Sequence, residues 1–276
     1  MKIKTLPRTY ILTLFFFPLL MTSCSDDPAS SIDLEDAPEP PSLENVTMDL
    51  SIFESESNQK VAEMSSHEMS QILGNHDMAA MHATIVQQKF SSMAMLPSLF
   101  FNKNQWGQVD FKDDMFVWEY DQPFEGESAS FLVTAQELSN GDIEWKLQVS
   151  ANTEEQTIDD EIMLRTLVSA DSQTGFWDVY NIEQSSGSVY RIEYEMVDDN
   201  PVRILLQDNA SEGEHFEILY EANDPQYSIL FINSDGQVYT ELDWNIETGT
   251  GYFITDEYNE GEKSCWDEEY RDTDCQ

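Results

Sequence analysis

From about Gln108 to the C-terminus, apolar and polar residues alternate with a period of two, and no other feature constrains the fold as tightly. Ile143, Trp145, Leu147 and Val149 alternate with Glu144, Lys146 and Gln148. Tyr190, Ile192, Tyr194 and Met196 alternate with Arg191, Glu193 and Glu195, and Val238, Thr240, Leu242 and Trp244 with Tyr239, Glu241 and Asp243. Phe131, Val133 and Ala135 repeat the pattern more weakly, because Leu132 interrupts the polar side. Successive side chains of a strand point to opposite faces, so these runs describe antiparallel strands with one packed and one solvated face.

Turn chemistry separates the runs. Ser139-Asn140-Gly141-Asp142 reads as a type I′ hairpin. Ser185-Ser186-Gly187, Asp199-Asn200-Pro201, Ser211-Glu212-Gly213, Asn223-Asp224-Pro225 and Asp235-Gly236 mark later reversals. The short spacing leaves little room for helices between strands. The expected fold is therefore mainly β: an antiparallel meander of about eleven or twelve strands forming a curved sheet, barrel or sandwich. Trp118, Trp145, Trp177, Trp244 and Trp266 should pack inside it or line a concave face.

Residues 49–107 read as a helical region packed on this β domain of residues 108–276. Val61, Met64, Glu68 and Ile72 fall at helical spacing, and Gly74-Asn75 is a stop signal. A second helix is expected from about His76 to Met95, with Met78, Met81, Ile85 and Lys89 along one side and Pro97 as its end. Together the two make a short helical hairpin. This region holds the candidate metal ligands His67, His76 and His82, set among Met64, Met69, Met78, Met81, Met93 and Met95. Imidazole and thioether suit copper. Methionine is also a flexible core filler, and His76 and His82, six residues apart, point to different faces of one helix. The favoured reading is packing methionines with exposed histidines and no metal.

The N-terminus carries Lys2, Lys4 and Arg8, then an apolar run from Tyr10 to Leu20, then the small residues Thr22 and Ser23. This is the layout of a signal peptide, and the run is too short to span a bilayer, which takes roughly 20 apolar residues. Met21-Thr22-Ser23-Cys24 resembles the lipobox of bacterial lipoproteins. The resemblance implies removal of residues 1–23, a diacylglyceryl group on the Cys24 thiol and acylation of the new amino terminus. Acyl chains contribute about 0.8 kcal/mol per buried methylene, so two or three of them would anchor the protein in the bilayer. Ser25-Asp26-Asp27 resembles the acidic export signal of Bacteroidota-type surface lipoproteins, which implies an outer-membrane location, facing the periplasm or the cell exterior. Residues 24–48, rich in Ser, Pro, Asp and Glu, read as a disordered tether.

With Cys24 assigned to lipid, Cys265 and Cys275 are left as a pair. An oxidising envelope favours a disulfide between them over a two-cysteine metal site, for which no histidine lies nearby in sequence. The net charge is −41, from 54 acidic and 13 basic residues. That field repels nucleic acid and anionic surfaces and attracts cations, divalent ones included. The chain has no D-x-[DN]-x-[DN]-G-x5-E calcium loop, and Asn233-Ser234-Asp235-Gly236 is better read as a hairpin turn. It also has no nucleophile elbow, P-loop, H-E-x-x-H or dinucleotide fingerprint, and His215 is the lone histidine of the sheet region.

These readings favour a cofactor-free, non-catalytic lipoprotein of the outer membrane with a structural or interaction role toward an envelope protein. The alternative is a module that binds an apolar ligand or lipid on a concave sheet. That architecture resembles the incomplete barrels of periplasmic lipid carriers. Divalent-cation binding is the third reading.

Overall fold

In a computed structural model, the described residues are 37–43, 46–53, 73–124, 127–152, 157–181, 188–209 and 215–275. Among them the chain forms one antiparallel sheet of fourteen strands in sequential order. They begin with β1 (Val109–Lys112), β2 (Met115–Phe124), β3 (Glu127–Glu137), β4 (Ile143–Asn152) and β5 (Thr157–Val168). Then come β6 (Thr174–Tyr180), β7 (Ser188–Val197), β8 (Asn200–Asp208), β9 (Phe216–Asn223) and β10 (Gln226–Asn233). The last are β11 (Val238–Asn245), β12 (Gly251–Thr255), β13 (Ser264–Trp266) and β14 (Asp272–Thr273). Each strand pairs with its neighbours in sequence, and β1 does not pair with β14, so the meander stays open. The strands beyond the expected eleven or twelve are explained by β1, β13 and β14. At four, three and two residues, these are too short to display an alternation.

The alternating runs have their apolar sides buried. In β4, Trp145, Leu147, Val149 and Ala151 face inward, opposite Ala135, Val133, Phe131 and Ala129 of β3. In β11, Thr240, Leu242 and Trp244 are buried, while Val238 at the start of the strand is exposed. All five tryptophans of the sheet region are buried. Trp118 stacks on Trp145 with ring centroids 5.5 Å apart, and Trp106 packs against both.

One α-helix is described, α1 (Asn75–Phe100), and it lies along the inner face of the sheet. Near its start His82 meets Phe253 of β12, and in its middle Lys89 Nζ lies 4.0 Å from the Phe216 ring of β9. At its end Phe100 packs on Phe131 of β3, and the adjoining Phe101 packs edge-on to Trp177 of β6, 5.0 Å away. His82, against β12, and Phe100, against β3, are about 27 Å apart along the helix, whereas in a flat sheet those strands would stand about 43 Å apart. Inward side chains from β2 to β13 nevertheless share one buried core with α1. The sheet must therefore curl so that its inner face covers both α1 and itself.

Two boundaries differ from expectation. The helix does not end at Pro97 but runs to Phe100, with the Phe101 N–H donating to the Pro97 carbonyl at 2.9 Å. Proline gives up one intrahelical bond there, and burial of Met93, Pro97 and Phe101, the last edge-on to Trp145 and Trp177, offsets that loss. The far end of the expected tether is also packed: Leu43, Val46, Met48 and Phe53 are buried in the core. Residues 46–53 form a strap in which Val46, Met48 and Leu50 alternate with polar residues, a run too short to separate from the polar tether before it. It ends in a 3-10 turn at Ser51–Phe53. The first arm of the expected hairpin lies outside the described residues.

Turn chemistry is corrected in one respect. The Gly141 N–H donates to the Leu138 carbonyl and only Gly141 has positive φ, at 87°. The β3–β4 connection is therefore a type I turn followed by a left-handed glycine, not a type I′ turn. The Asn233–Gly236 hairpin has the same form, with Gly236 at 73°. Consecutive left-handed residues, the mark of a type I′ turn, occur instead at Asp113-Asp114 and Asp198-Asp199.

Candidate functional site

Cys24 and His67 lie outside the described residues. Cys265 and Cys275 are bonded, with sulfurs 2.10 Å apart. The segment they close reaches the start of α1. Asn75 N–H donates to Asp272 Oδ1 at 2.6 Å, Asn75 Nδ2 donates to the Cys265 carbonyl at 2.7 Å, and Tyr258 OH donates to Asn75 Oδ1 at 3.1 Å. A Cβ on Gly74 would meet Asp272 Oδ1 at 2.9 Å, so a larger residue there would displace that carboxylate from Asn75.

His76 and His82 do not converge on a shared site. His76 is not exposed as expected but buried, because the strap and the disulfide segment close over its ring, with Nε2 3.1 Å from the Ile52 carbonyl. Its ring stacks on Tyr270 at 4.2 Å and on Phe53 at 5.6 Å, and meets Trp266 edge-on at 5.5 Å. Burial lowers its pKa, opposed by the Ile52 carbonyl and Asp77. Burial likewise lowers that of His82, opposed by Glu257. His76 thus serves as a packing residue that joins the strap, α1 and the disulfide segment. Among the described residues no group of three or more His, Cys, Asp or Glu side chains is placed to hold a metal ion.

On the outer face, four of the chain's 13 basic residues stand on adjacent strands. Glu144 accepts from Lys146 at 2.6 Å and from Arg165 at 2.8 Å, and although burial raises its pKa, these bonds leave it lowered. Arg191 lies 3.1 Å from Glu193 and 3.4 Å from Asp178, and Arg203 lies 4.0 Å from Glu193. Burial raises the Asp178 pKa against the pull of Arg191 and Arg165. Both of those guanidiniums lie over the Phe176 ring, at 4.1 and 5.4 Å. The cations are taken up by carboxylates of the same sheet, so the patch braces β4–β8 and does not offer free positive charge.

A cleft of about 710 Å³ lies between the strap and the ends of β8–β10. Tyr220 forms its floor, its hydroxyl accepting from the Asp49 N–H at 3.1 Å. Tyr227 sits 6.2 Å away, centroid to centroid, and is itself stacked on Trp244 at 5.8 Å. Asp49 and Asp224 stand beside Tyr227, whose pKa is raised by burial first and then by these two carboxylates. Met48, Leu50, Val202 and Ile246 complete an apolar wall. The Asn223-Asp224-Pro225 turn is visible in the sequence, but nothing in the sequence shows that the strap would bring Asp49 to it.

The sequence matches no protein-family model and no curated protein.

Proposed function

We propose that this chain is a lipoprotein of the cell envelope, held in the outer membrane by an acylated Cys24, whose ordered body has a structural or interaction role and not a catalytic one. The anchor rests on the likeness of Met21-Thr22-Ser23-Cys24 to a lipobox. The role of the body rests on one observation: the inner face of the curled sheet is filled by the chain's own helix and tryptophans. Binding of an apolar ligand or lipid there would require α1 to leave. What the body presents outward is its strongly acidic exterior.

Labelling with radioactive palmitate and membrane fractionation of Cys24→Ala test the anchor. The expected result is loss of label and release of the protein from the membrane fraction. A variant that stays membrane-bound without label sinks the anchor reading.

A further inference from the structure

We propose that the cleft between the strap and β8–β10 is a binding site for an organic ammonium ion carrying an apolar group. Three properties of the cleft converge on that chemistry. Its volume, about 710 Å³, lies within the range of small-molecule sites. Its aromatic surface is Tyr227, held from behind by Trp244, with the buried Tyr220 beneath it fixed by the Asp49 N–H. An ammonium over such a face is attracted by the ring quadrupole, and more strongly where water is excluded. Among the described residues its charged groups are carboxylates only: Asp49 and Asp224 line it, and no described Lys, Arg or His does.

The selectivity follows from the same geometry. An anion would meet two carboxylates with no compensating cation. A neutral apolar molecule would leave those carboxylates to be desolvated without a partner. A bare metal ion would find too few converging oxygens and would not use the rings. An alkyl or aryl ammonium places its charge beside Tyr227, within the field of Asp224 and of Asp49, whose Oδ1 accepts from the Ser51 N–H, and its apolar part against Met48, Leu50 and Val202. The net charge of −41 raises the local concentration of any cation, so the site needs little intrinsic affinity to fill. A zwitterionic headgroup shares the ammonium, but its phosphate would face the same carboxylates.

Calorimetric titration of the full chain with benzyltrimethylammonium tests the proposal, with benzyl alcohol, benzoate and phosphocholine as comparators. One saturable site is expected for the ammonium, with each comparator at least about tenfold weaker. The double variant Asp49→Asn/Asp224→Asn and the single variant Tyr227→Leu should each weaken ammonium binding about tenfold. The same change at a remote pair, Asp113→Asn/Asp114→Asn, should leave it unaltered. Equal weakening by the remote pair would mean that the overall field alone collects the cation, and would overturn the proposal. Benzyl alcohol binding as tightly as the ammonium, or phosphocholine binding more tightly, would overturn it equally.

Discussion

His76 shows how a residue that looks like a ligand can be part of the packing. Its ring is enclosed by Tyr270, Phe53 and Trp266, with Asp77 the charged group whose field reaches it, so burial prevails and the ring is held neutral. An exposed histidine titrates near 6.5, and in the folded chain His76 titrates lower. As pH falls below 6.5 the unfolded chain takes up the proton first. The stabilising contribution is therefore fully present above that value and declines below it. His76→Phe keeps the stack and carries no proton, so its urea midpoint should fall less than that of the parent between about pH 7.5 and pH 5.5. His82 has the same sign and leaves some slope in both proteins. Asp178 and Asp243, raised mainly by burial from 3.8, have the opposite sign, so the comparison is made at each pH against the parent. Equal slopes in parent and variant would refute the argument. The spacing of His76 in the sequence carries none of this, because Tyr270 and Trp266 lie almost 200 residues away.

Among the elements, the start of α1 depends on the far end of the chain. Gly74 supplies no side-chain cap, and Asp272 takes the cap's place by accepting from Asn75 N–H. Removing the disulfide with Cys265→Ser/Cys275→Ser should lower stability by about 2–3 kcal/mol on the chain-entropy account. Hydrogen exchange should then quicken in the first turn of α1 as well as in β13 and β14. Faster exchange confined to residues 264–275 would show that the cap does not need the bond. The long strands were legible because each shows one side to the core and the other to water, so a period of two survives in the sequence. The run to Phe100 was not legible, because local rules end a helix at Pro97 and tertiary burial overrides them. The packing of the strap was not legible because the alternation of Val46, Met48 and Leu50 is short and directly follows the polar, proline-rich stretch before it.

For the molecule as a whole, charge opposes compactness. With 54 acidic and 13 basic residues, repulsion acts across the entire surface, while the ion pairs of β4–β8 relieve it only locally. Screening shortens from about 30 Å at 0.01 M salt to about 8 Å at 0.15 M. The melting temperature should rise by about 4 °C or more over that range, which at this chain length corresponds to about 1–2 kcal/mol. A flat response would mean that the carboxylates are already neutralised by bound ions. The curled sheet could be anticipated from strand number and turn spacing, whereas the cleft could not, because its two carboxylates come together only when the strap crosses the β9–β10 turn. The sequential order of the strands has a further consequence for a chain that emerges end first from synthesis or export. Each hairpin can form as soon as its second strand appears, with no strand waiting for a distant partner. The first turn of α1, by contrast, is among the earliest ordered segments to emerge and must wait for Asp272, so the finished state is reached only when nearly the whole chain has been delivered.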